Sequence, residues 1–243
     1  MRTLVIGDIH GGFKGLKQVL DRAKITFKDQ LIFLGDYVDG WSESAETVAF
    51  LIALSQENQC IFIRGNHDDL CHKWLAQGEK PQLWVHQGGQ STIESYSKMG
   101  DKEIKNHVPF FENLKSYFID KENRLFIHAG FQNLKGPQYE YYDTAAYWDR
   151  TLWETALALD KNLTPEETLY PDRLKIFEEI YIGHTPVTRI GKTVPVNAAS
   201  VWNIDTGAAF KGPVTVLDIN SKEFWQSDPV WMLYPDERGR NVY

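Results

Sequence analysis

Five short apolar runs, each ending in a glycine-flanked polar motif, constrain the fold of this chain more than any other feature. The runs have the length and composition of buried strands, and they occupy residues 4–6, 31–34, 61–63, 124–127 and 180–182. Apolar residues recur at helical spacing after the first two runs, within 16–23 and 46–54. Strands that alternate with helices favour right-handed crossovers and a largely parallel sheet. The sequence therefore predicts an α/β fold in which the polar motifs meet at one edge of a sheet.

The polar motifs at these strand ends supply side chains that suit a divalent metal site. They are GDIHG at 7–11, GDYVD at 35–39, RGNHD at 64–68, HAG at 128–130 and GHT at 183–185. Manganese, iron and zinc take carboxylate and imidazole ligands, whereas the lack of a cysteine pair disfavours a structural zinc site. The predicted ligands are Asp8, His10, Asp36, Asn66, His128 and His184. These are too many for one catalytic ion, so we expect two ions that share a carboxylate, with Asp36 as the bridge.

Length and composition limit the classes of function. The 243 residues suit a single domain over 1–243. A net charge of −7 argues against sequence-independent binding of DNA or RNA, and no apolar run is long enough to span a membrane. The two cysteines fit inert thiols in a reducing compartment, so we expect a cytoplasmic protein. The sequence leaves the oligomeric state open.

The tract 131–178 differs from the rest of the chain because it is rich in tyrosine and tryptophan. Its Thr-Pro-Glu-Glu stretch at 164–167 is typical of a helix start. We therefore expect a largely helical insertion that covers the metal site. Packing explains its aromatic side chains better than a base-stacking platform does, although both interpretations stay open. Arg150, within Trp148-Asp149-Arg150, is the basic residue of interest in this tract.

The remaining segments carry less chemistry. Residues 71–97 indicate helix interrupted at Gly88-Gly89, and 104–114 indicate a further helix with Pro109 at a kink or boundary. The runs 201–205, 214–218 and 223–225 are typical of strands joined by short turns, so antiparallel pairing is expected there.

The five motifs, in this order, resemble those of the calcineurin-like metallophosphoesterases. Residues 83–96 and 204–208 also resemble the bacterial phosphoprotein-phosphatase branch, which includes the symmetrical dinucleoside tetraphosphate hydrolases. The resemblance implies a four-layer α/β sandwich of two mixed β-sheets flanked by helices. It implies two divalent ions, manganese first with iron or zinc as alternatives, and a hydroxide between them as the nucleophile. By motif, Asp8, His10 and Asp36 hold the first ion, and the second is held by Asp36, Asn66, His128 and His184.

The resemblance also assigns roles to residues beside these ligands. His67 matches the family's catalytic histidine, which protonates the leaving oxygen, and Asp39 matches the carboxylate that orients it. A histidine beside dications keeps its proton only if a carboxylate stabilises the imidazolium, so the physical argument agrees. We predict that Arg64, Asn66 and Arg150 bind the phosphoryl group, because a guanidinium can bind two of its oxygens.

The chain departs from the branch pattern at two places. The branch usually has Asp-Arg-Gly where this chain has Asp39-Gly40-Trp41, so a phosphate-binding arginine is missing. It usually has glutamate where Asp68 stands. For Asp68, Asp69 and Asp205 we predict capping and turn formation.

The leading functional hypothesis is a dinuclear-metal-dependent phosphomonoesterase that acts on phosphoserine and phosphothreonine in proteins. The alternative is a symmetrical dinucleoside polyphosphate hydrolase, such as one that cleaves diadenosine tetraphosphate. A non-catalytic binding module on the same scaffold is a third hypothesis. That hypothesis predicts lost ligands or a lost catalytic histidine, whereas this chain retains all of them.

Overall fold

Ten strands form two five-stranded sheets in the computed structural model, which describes residues 1–241. In chain order the strands are β1 Thr3–Ile6, β2 Gln30–Phe33, β3 Gln59–Phe62, β4 Tyr117–Ile119, β5 Arg124–Ile127, β6 Glu179–Ile182, β7 Val196–Ala198, β8 Val201–Asn203, β9 Thr215–Asp218 and β10 Phe224–Gln226. The first sheet has the order β10-β9-β1-β2-β3 and the second β4-β5-β6-β8-β7.

Both sheets are mixed, with three parallel strands in each. β1, β2 and β3 are parallel, and β9 and β10 add to them in antiparallel fashion. In the second sheet β5, β6 and β8 are parallel, while the edge strands β4 and β7 are antiparallel to their neighbours. The predicted antiparallel pairing of the later strands is thus found for β9 and β10.

Nine helices surround the sheets within residues 1–241. They are α1 Phe13–Arg22, α2 Ser44–Glu57, α3 Asn66–Gln77, α4 Gln82–Trp84, α5 Gln90–Tyr96, α6 Asp101–Glu112, α7 Ala145–Trp148, α8 Thr151–Ala158 and α9 Val230–Leu233. A kinked turn, Val85–Gly89, joins α4 to α5, and Gly88 has φ +115° there, so the predicted interruption is confirmed. In this part of the chain no helix combines the length and hydrophobicity that a membrane crossing requires.

Alternation along the strands builds the four predicted layers. Val5 and Ile32 of the first sheet pack with Phe126 of the second sheet, in the layer between the two sheets. Leu4 and Ile6 point the other way and pack with α1 and α2. The outer face of the second sheet packs in the same way with α7 and α8. Because successive side chains of a strand face opposite sides, one run of apolar residues supplies both a sheet-sheet core and a helix-sheet core.

The tract 131–178 is less helical than predicted. It contains α7, α8 and two short 3-10 turns, Pro137–Tyr139 and Asp172–Leu174, and loops join them. At the predicted helix start, the Glu167 carboxylate accepts a hydrogen bond from the Thr164 backbone N–H at 2.8 Å, as a helix cap would. Pro171 follows within two turns, and because it lacks an N–H and restricts the residue before it, turns form instead of a helix.

Two smaller expectations also need correction. Of the two alternatives for Pro109, the helix boundary is wrong, since α6 runs on to Glu112 with the proline in its last turn. The sequence analysis did not find β4, which has only three half-buried residues at a sheet edge. Three residues are too few to show the alternation that identifies a strand.

Candidate metal centre and active site

The predicted metal ligands meet at the carboxyl ends of the parallel strands. They follow β1, β2, β3, β5 and β6, and the most exposed of them, His184, has an exposed fraction of 9%. Two groups of three side chains bring potential ligand atoms within 4.8 Å of one another, and both groups contain Asp36. One group adds His10 and His67, and the other adds His128 and His184. The shared carboxylate is the residue predicted to bridge two ions.

The backbone at these strand ends adopts an uncommon conformation. His10, Asp36, Asp39 and His184 have φ of +55°, +53°, +72° and +68°. Positive φ in residues other than glycine is sparsely populated, costs on the order of 1–3 kcal/mol and clusters at functional sites. At each position the chain turns sharply out of its strand, and the loops then surround a common centre.

Two motif glycines allow these loops to approach closely. A Cβ atom on Gly65 would overlap Oδ1 of Asp36, and one on Gly183 would overlap Oδ1 of Asp8. The glycines flanking the ligands are therefore required by contacts with ligands from other strands, rather than by a turn alone.

The Asp36 carboxylate lies between the imidazole rings of two histidines. Its Oδ2 atom is 3.5 Å from Nε2 of His10 and 3.4 Å from Nε2 of His128. In each histidine the other nitrogen contacts a backbone oxygen: Nδ1 of His10 lies 2.9 Å from the Asp39 oxygen, and Nδ1 of His128 lies 2.8 Å from that of Leu34. Nδ1 then carries the proton in both rings, which directs the Nε2 lone pairs at the centre.

Asn66 and His184 complete the second group. The Asn66 side-chain oxygen is 2.9 Å from Nδ1 of His184 and 3.3 Å from Nε2 of His128. Nε2 of His184 is buried and has no hydrogen-bond partner in residues 1–241. The backbone N–H of His184 donates to Oδ2 of Asp8 at 3.1 Å, which ties the ends of β1 and β6 together. Because a buried, unpartnered imidazole nitrogen is costly, it fits a metal ligand better than a core residue.

The electrostatics of the site also fit bound cations. Burial raises the pKa of Asp8 to about 7, against the opposing effect of His128. Burial lowers the pKa of His184 well below its ordinary value, so this imidazole is neutral. Divalent ions favour ionised carboxylates and bind neutral imidazoles, and these donors therefore fit such ions.

His67 is held next to this centre by Asp39. Nδ1 of His67 lies 2.7 Å from Oδ2 of Asp39. The fully buried Asp39 carboxylate also accepts hydrogen bonds from Trp84 Nε1 and Thr92 Oγ1, both at 2.6 Å. Burial lowers the pKa of His67, and the hydrogen bond to Asp39 opposes that shift. Three donors fix the carboxylate, so it can hold the imidazole ring in one orientation.

Asp68 organises the loops, in line with its predicted structural role. Its buried carboxylate accepts hydrogen bonds from the backbone N–H groups of Asp36 at 2.7 Å, Tyr37 at 2.8 Å and Gly65 at 2.8 Å. The last of these caps α3. Asp205 similarly accepts from the Gly207 backbone N–H at 2.9 Å within a turn.

Three arginines line a small pocket above the candidate metal centre. The pocket has a volume of about 80 Å³, and its walls include Asp36, His67 and the three side chains Arg150, Arg189 and Arg240. Burial lowers the pKa of Arg150, and the nearby charge of Arg189 lowers it further. Within residues 1–241, none of the three arginines forms an ion pair with an acidic side chain. The pocket is thus suited to a multiply charged anion.

Two of the three predicted phosphate-binding residues lie in the pocket wall, and the third does not. Arg150 and Asn66 line the pocket, but Arg64 is not part of its wall. The Arg64 guanidinium instead lies 3.5 Å from the Asp69 carboxylate and donates to the Phe111 backbone oxygen at 2.9 Å. These contacts hold α3 against α6. Arg189 and Arg240 stand in no recognised motif, and neither was predicted from the sequence.

A family model for calcineurin-like phosphoesterases matches residues 1–209 of the chain. The chain belongs to the calcineurin-like phosphoesterase family. The match covers all five strand-end motifs and stops before Arg240. The resemblance, the fold class and the phosphoesterase activity inferred from the sequence are therefore confirmed.

Curated relatives of this phosphoesterase include enzymes with two kinds of substrate. It is 26% identical to the bis(5′-nucleosyl)-tetraphosphatase PrpE [asymmetrical] of Halalkalibacterium halodurans, over 92% of each chain. It is also 26% identical to serine/threonine-protein phosphatase 1 of Salmonella typhimurium, over 88% of this chain and 90% of the relative. A solved protein serine/threonine phosphatase from Saccharomyces cerevisiae has the same fold, with a TM-score of 0.62, 15% identity and coverage of 94% and 80%.

Beside the arginine pocket, this calcineurin-like phosphoesterase has an aromatic groove. Trp148 belongs to the walls of both, and the groove of about 300 Å³ continues past Tyr141 and Tyr142. These side chains have exposed fractions of 43%, 86% and 69%, respectively. Tyr147 and Trp153, in contrast, are buried in the core. The expectation that the aromatic residues of 131–178 serve packing therefore holds for Tyr147 and Trp153, and also for the buried Phe131, Tyr170 and Phe177, but not for Trp148, Tyr141 and Tyr142.

Proposed function

We propose that this phosphoesterase hydrolyses small esters that contain several phosphates, with dinucleoside polyphosphates as the first candidates. The observation that carries the proposal is the cluster of Arg150, Arg189 and Arg240 without acidic partners in residues 1–241. A single phosphoryl group at a two-metal centre does not need three guanidiniums. A polyphosphate chain needs further guanidiniums, because each further phosphate adds negative charge that the two metal ions do not reach.

The aromatic groove supports the same proposal. Trp148 stands between the arginine pocket and the groove, with 43% of its surface exposed. An exposed indole offers a flat face on which a nucleobase can stack, and such stacking contributes roughly 1–3 kcal/mol. The relative from Halalkalibacterium halodurans, named a bis(5′-nucleosyl)-tetraphosphatase, adds an independent reason to test such substrates first.

The residues of the site divide the chemical work. The six ligands predicted above would hold two divalent ions, for which we propose manganese, and when bound these would supply an activated water and neutralise phosphoryl charge. His67 faces the centre and is oriented to donate a proton to the leaving oxygen. Asp39 holds the His67 ring, and the arginines hold the phosphates in line.

The direct test compares substrates on manganese-loaded protein. We expect kcat/KM for diadenosine tetraphosphate to exceed that for a phosphoserine peptide by at least about tenfold, because only the former can occupy all three arginines. The nucleotide products, two ADP molecules or AMP with ATP, decide whether cleavage is symmetrical. Trp148→Ala should raise KM for the dinucleotide but not for p-nitrophenyl phosphate. A higher kcat/KM for the phosphopeptide would overturn the proposal.

Phosphoproteins, which were the leading hypothesis from the sequence, are the second candidate. The observation in their favour is the Salmonella typhimurium relative, named a serine/threonine-protein phosphatase, which matches 88% of this chain. Phosphoserine release from peptides, with no release of nucleotide from diadenosine tetraphosphate, would support this candidate instead.

A further inference from the structure

The segment 234–241 folds back onto the loop that follows β2. The Tyr234 ring stacks on the buried Trp41 indole, with centroids 5.3 Å apart and an interplanar angle of 21°. The Glu237 carboxylate accepts hydrogen bonds from the Ser42 backbone N–H at 2.9 Å and from its hydroxyl at 2.6 Å. These contacts fix the segment against Trp41 and Ser42, next to Gly40, and Gly40 and Trp41 are two residues at which the chain departs from the branch pattern.

Glycine at 239 brings the segment into direct contact with Trp41. A Cβ atom on Gly239 would lie 2.5 Å from a ring carbon of Trp41 and 2.8 Å from the Ala209 backbone oxygen. The next residue, Arg240, donates its backbone N–H to the same oxygen at 2.9 Å. The backbone of Arg240 is therefore held in place on the surface that Trp41 provides.

Glycine at 40 leaves room for the Arg240 side chain. Gly40 has φ +130°, and its missing Cβ would lie 3.4 Å from Cγ of Arg240. Gly88 lies on the other side, where a Cβ would be 3.2 Å from the same atom. The Arg240 side chain thus passes between two glycines, and its guanidinium enters the pocket 5.5 Å from the centroid of Phe210.

We propose that Arg240 binds substrate phosphate, in the space that an arginine at position 40 would otherwise occupy. Trp41, Gly40 and Gly239 are then positioning residues, because they allow the segment to deliver the guanidinium. The proposal rests on the proposed function only in requiring a substrate that contains phosphate. It does not depend on nucleosides at the ends of that substrate.

The structure disfavours a purely structural role for this arginine. Its guanidinium forms no ion pair with an acidic side chain in the part of the chain described, and it shares a pocket wall with Asp36 and His67. An arginine that only fixed the segment would be expected to contact an acceptor on the loop after β2. The backbone N–H and Tyr234 already provide that attachment.

The experiment measures KM for p-nitrophenyl phosphate and Ki for inorganic phosphate on manganese-loaded protein. Arg240→Ala should raise both by roughly 10- to 100-fold, as expected for the loss of a charge-assisted hydrogen bond, with bound manganese unchanged. Arg240→Lys should recover part of the affinity, because it keeps the charge but not the two-pronged geometry. Added guanidinium ion should partly restore the alanine variant.

Two further variants distinguish a loss of Arg240 positioning from a general loss of structure. Gly239→Ala should displace the segment and raise KM and Ki as Arg240→Ala does, although it substitutes none of the side chains that line the pocket. Arg22→Ala is the matched control, since Arg22 is on α1 and pairs with Asp228 at 2.8 Å on the surface. It should leave both constants unchanged.

The outcomes distinguish this proposal from the proposed function. If Arg240→Ala keeps KM and Ki within twofold of the unsubstituted protein, the proposal is overturned, whatever the preferred substrate. If diadenosine tetraphosphate is not cleaved but Ki for phosphate still rises in Arg240→Ala, the role of Arg240 stands and the substrate class is wrong.

Discussion

Replacing His67 by asparagine tests the central chemical prediction for this site. The histidine is 2% exposed, and its Nδ1 atom lies 2.7 Å from Asp39. The substitution removes a hydrogen bond worth about 1.5–3 kcal/mol. Trp84 and Thr92 still donate to the Asp39 carboxylate, so no buried charge is left without a partner. We therefore expect a folded protein with its metal content unchanged.

The size of the catalytic loss depends on the leaving group. A positioned general acid contributes roughly 100- to 10,000-fold to the rate, or about 2.7–5.4 kcal/mol of barrier. That contribution is needed in full when the leaving oxygen is a poorly stabilised alkoxide, as in phosphoserine. It is largely unnecessary for p-nitrophenolate, which leaves without a proton.

The assay is therefore a comparison of kcat for two phosphomonoesters, with manganese bound. His67→Asn should lower kcat for a phosphoserine peptide by at least about 100-fold and for p-nitrophenyl phosphate by less than about tenfold. His72→Asn, on the same helix, is the matched control and should change neither. An equal loss on both substrates, or no loss on either, would refute the role of His67 as the acid, and no turnover by the unsubstituted protein would favour a non-catalytic scaffold.

Three further predictions concern the loop after β2, the metals and the pH dependence of stability. Gly40→Arg forces arginine into a backbone with φ +130° and displaces Arg240, so KM for p-nitrophenyl phosphate should rise by roughly tenfold at constant metal content. An unchanged KM would mean that the introduced arginine binds phosphate in place of Arg240, or that Arg150 and Arg189 suffice. Removal of divalent ions with EDTA should lower Tm by about 5–10 °C, as loss of roughly 2.7 kcal/mol of ligand stabilisation predicts, and scanning calorimetry measures it. Burial raises the pKa of Asp205 from 3.8 to about 8, so the folded state retains this proton longer and stability should fall as pH rises from 4 to 8. Asp205→Asn should reduce that slope in EDTA, and parallel Tm curves would contradict the assignment.

The parts of this fold that the sequence predicts are those determined by local patterns. A run of three or four residues that ends in a glycine-flanked polar motif specifies both a buried strand and the polar turn that follows it. Five such units place their ligands together once the crossovers are right-handed. The count of ligands predicts two ions that share a carboxylate, and Asp36 as that carboxylate stays a prediction; its Oδ2 atom lies at nearly equal distances from Nε2 of His10 and Nε2 of His128.

The parts that the sequence does not reveal depend on contacts between distant segments. Arg189 and Arg240 belong to no motif, and the position of a long, flexible side chain follows from tertiary packing rather than from its neighbours in the chain. Arg64 illustrates the converse, because it stands within a motif but its guanidinium is taken by Asp69 and the Phe111 oxygen. In the tract 131–178, the helix predicted to start at 164–167 does not form, because the cap-like hydrogen bond at Thr164 is followed by turns up to Pro171.

Gly40 and Trp41, which stand where the branch has arginine and glycine, are physically coupled. A Cβ atom on Gly40 would lie 3.4 Å from Cγ of Arg240, so under the proposal above an arginine at position 40 and Arg240 are alternatives and not additions. Trp41 supplies the flat buried surface that Tyr234 and Gly239 contact. Gly40 without Trp41 would leave an unfilled pocket, and Trp41 without Gly40 would hold a segment whose arginine could not enter. Gly40 and Trp41 therefore act together to replace the branch's arginine by Arg240, whose position is two hundred residues further along the chain.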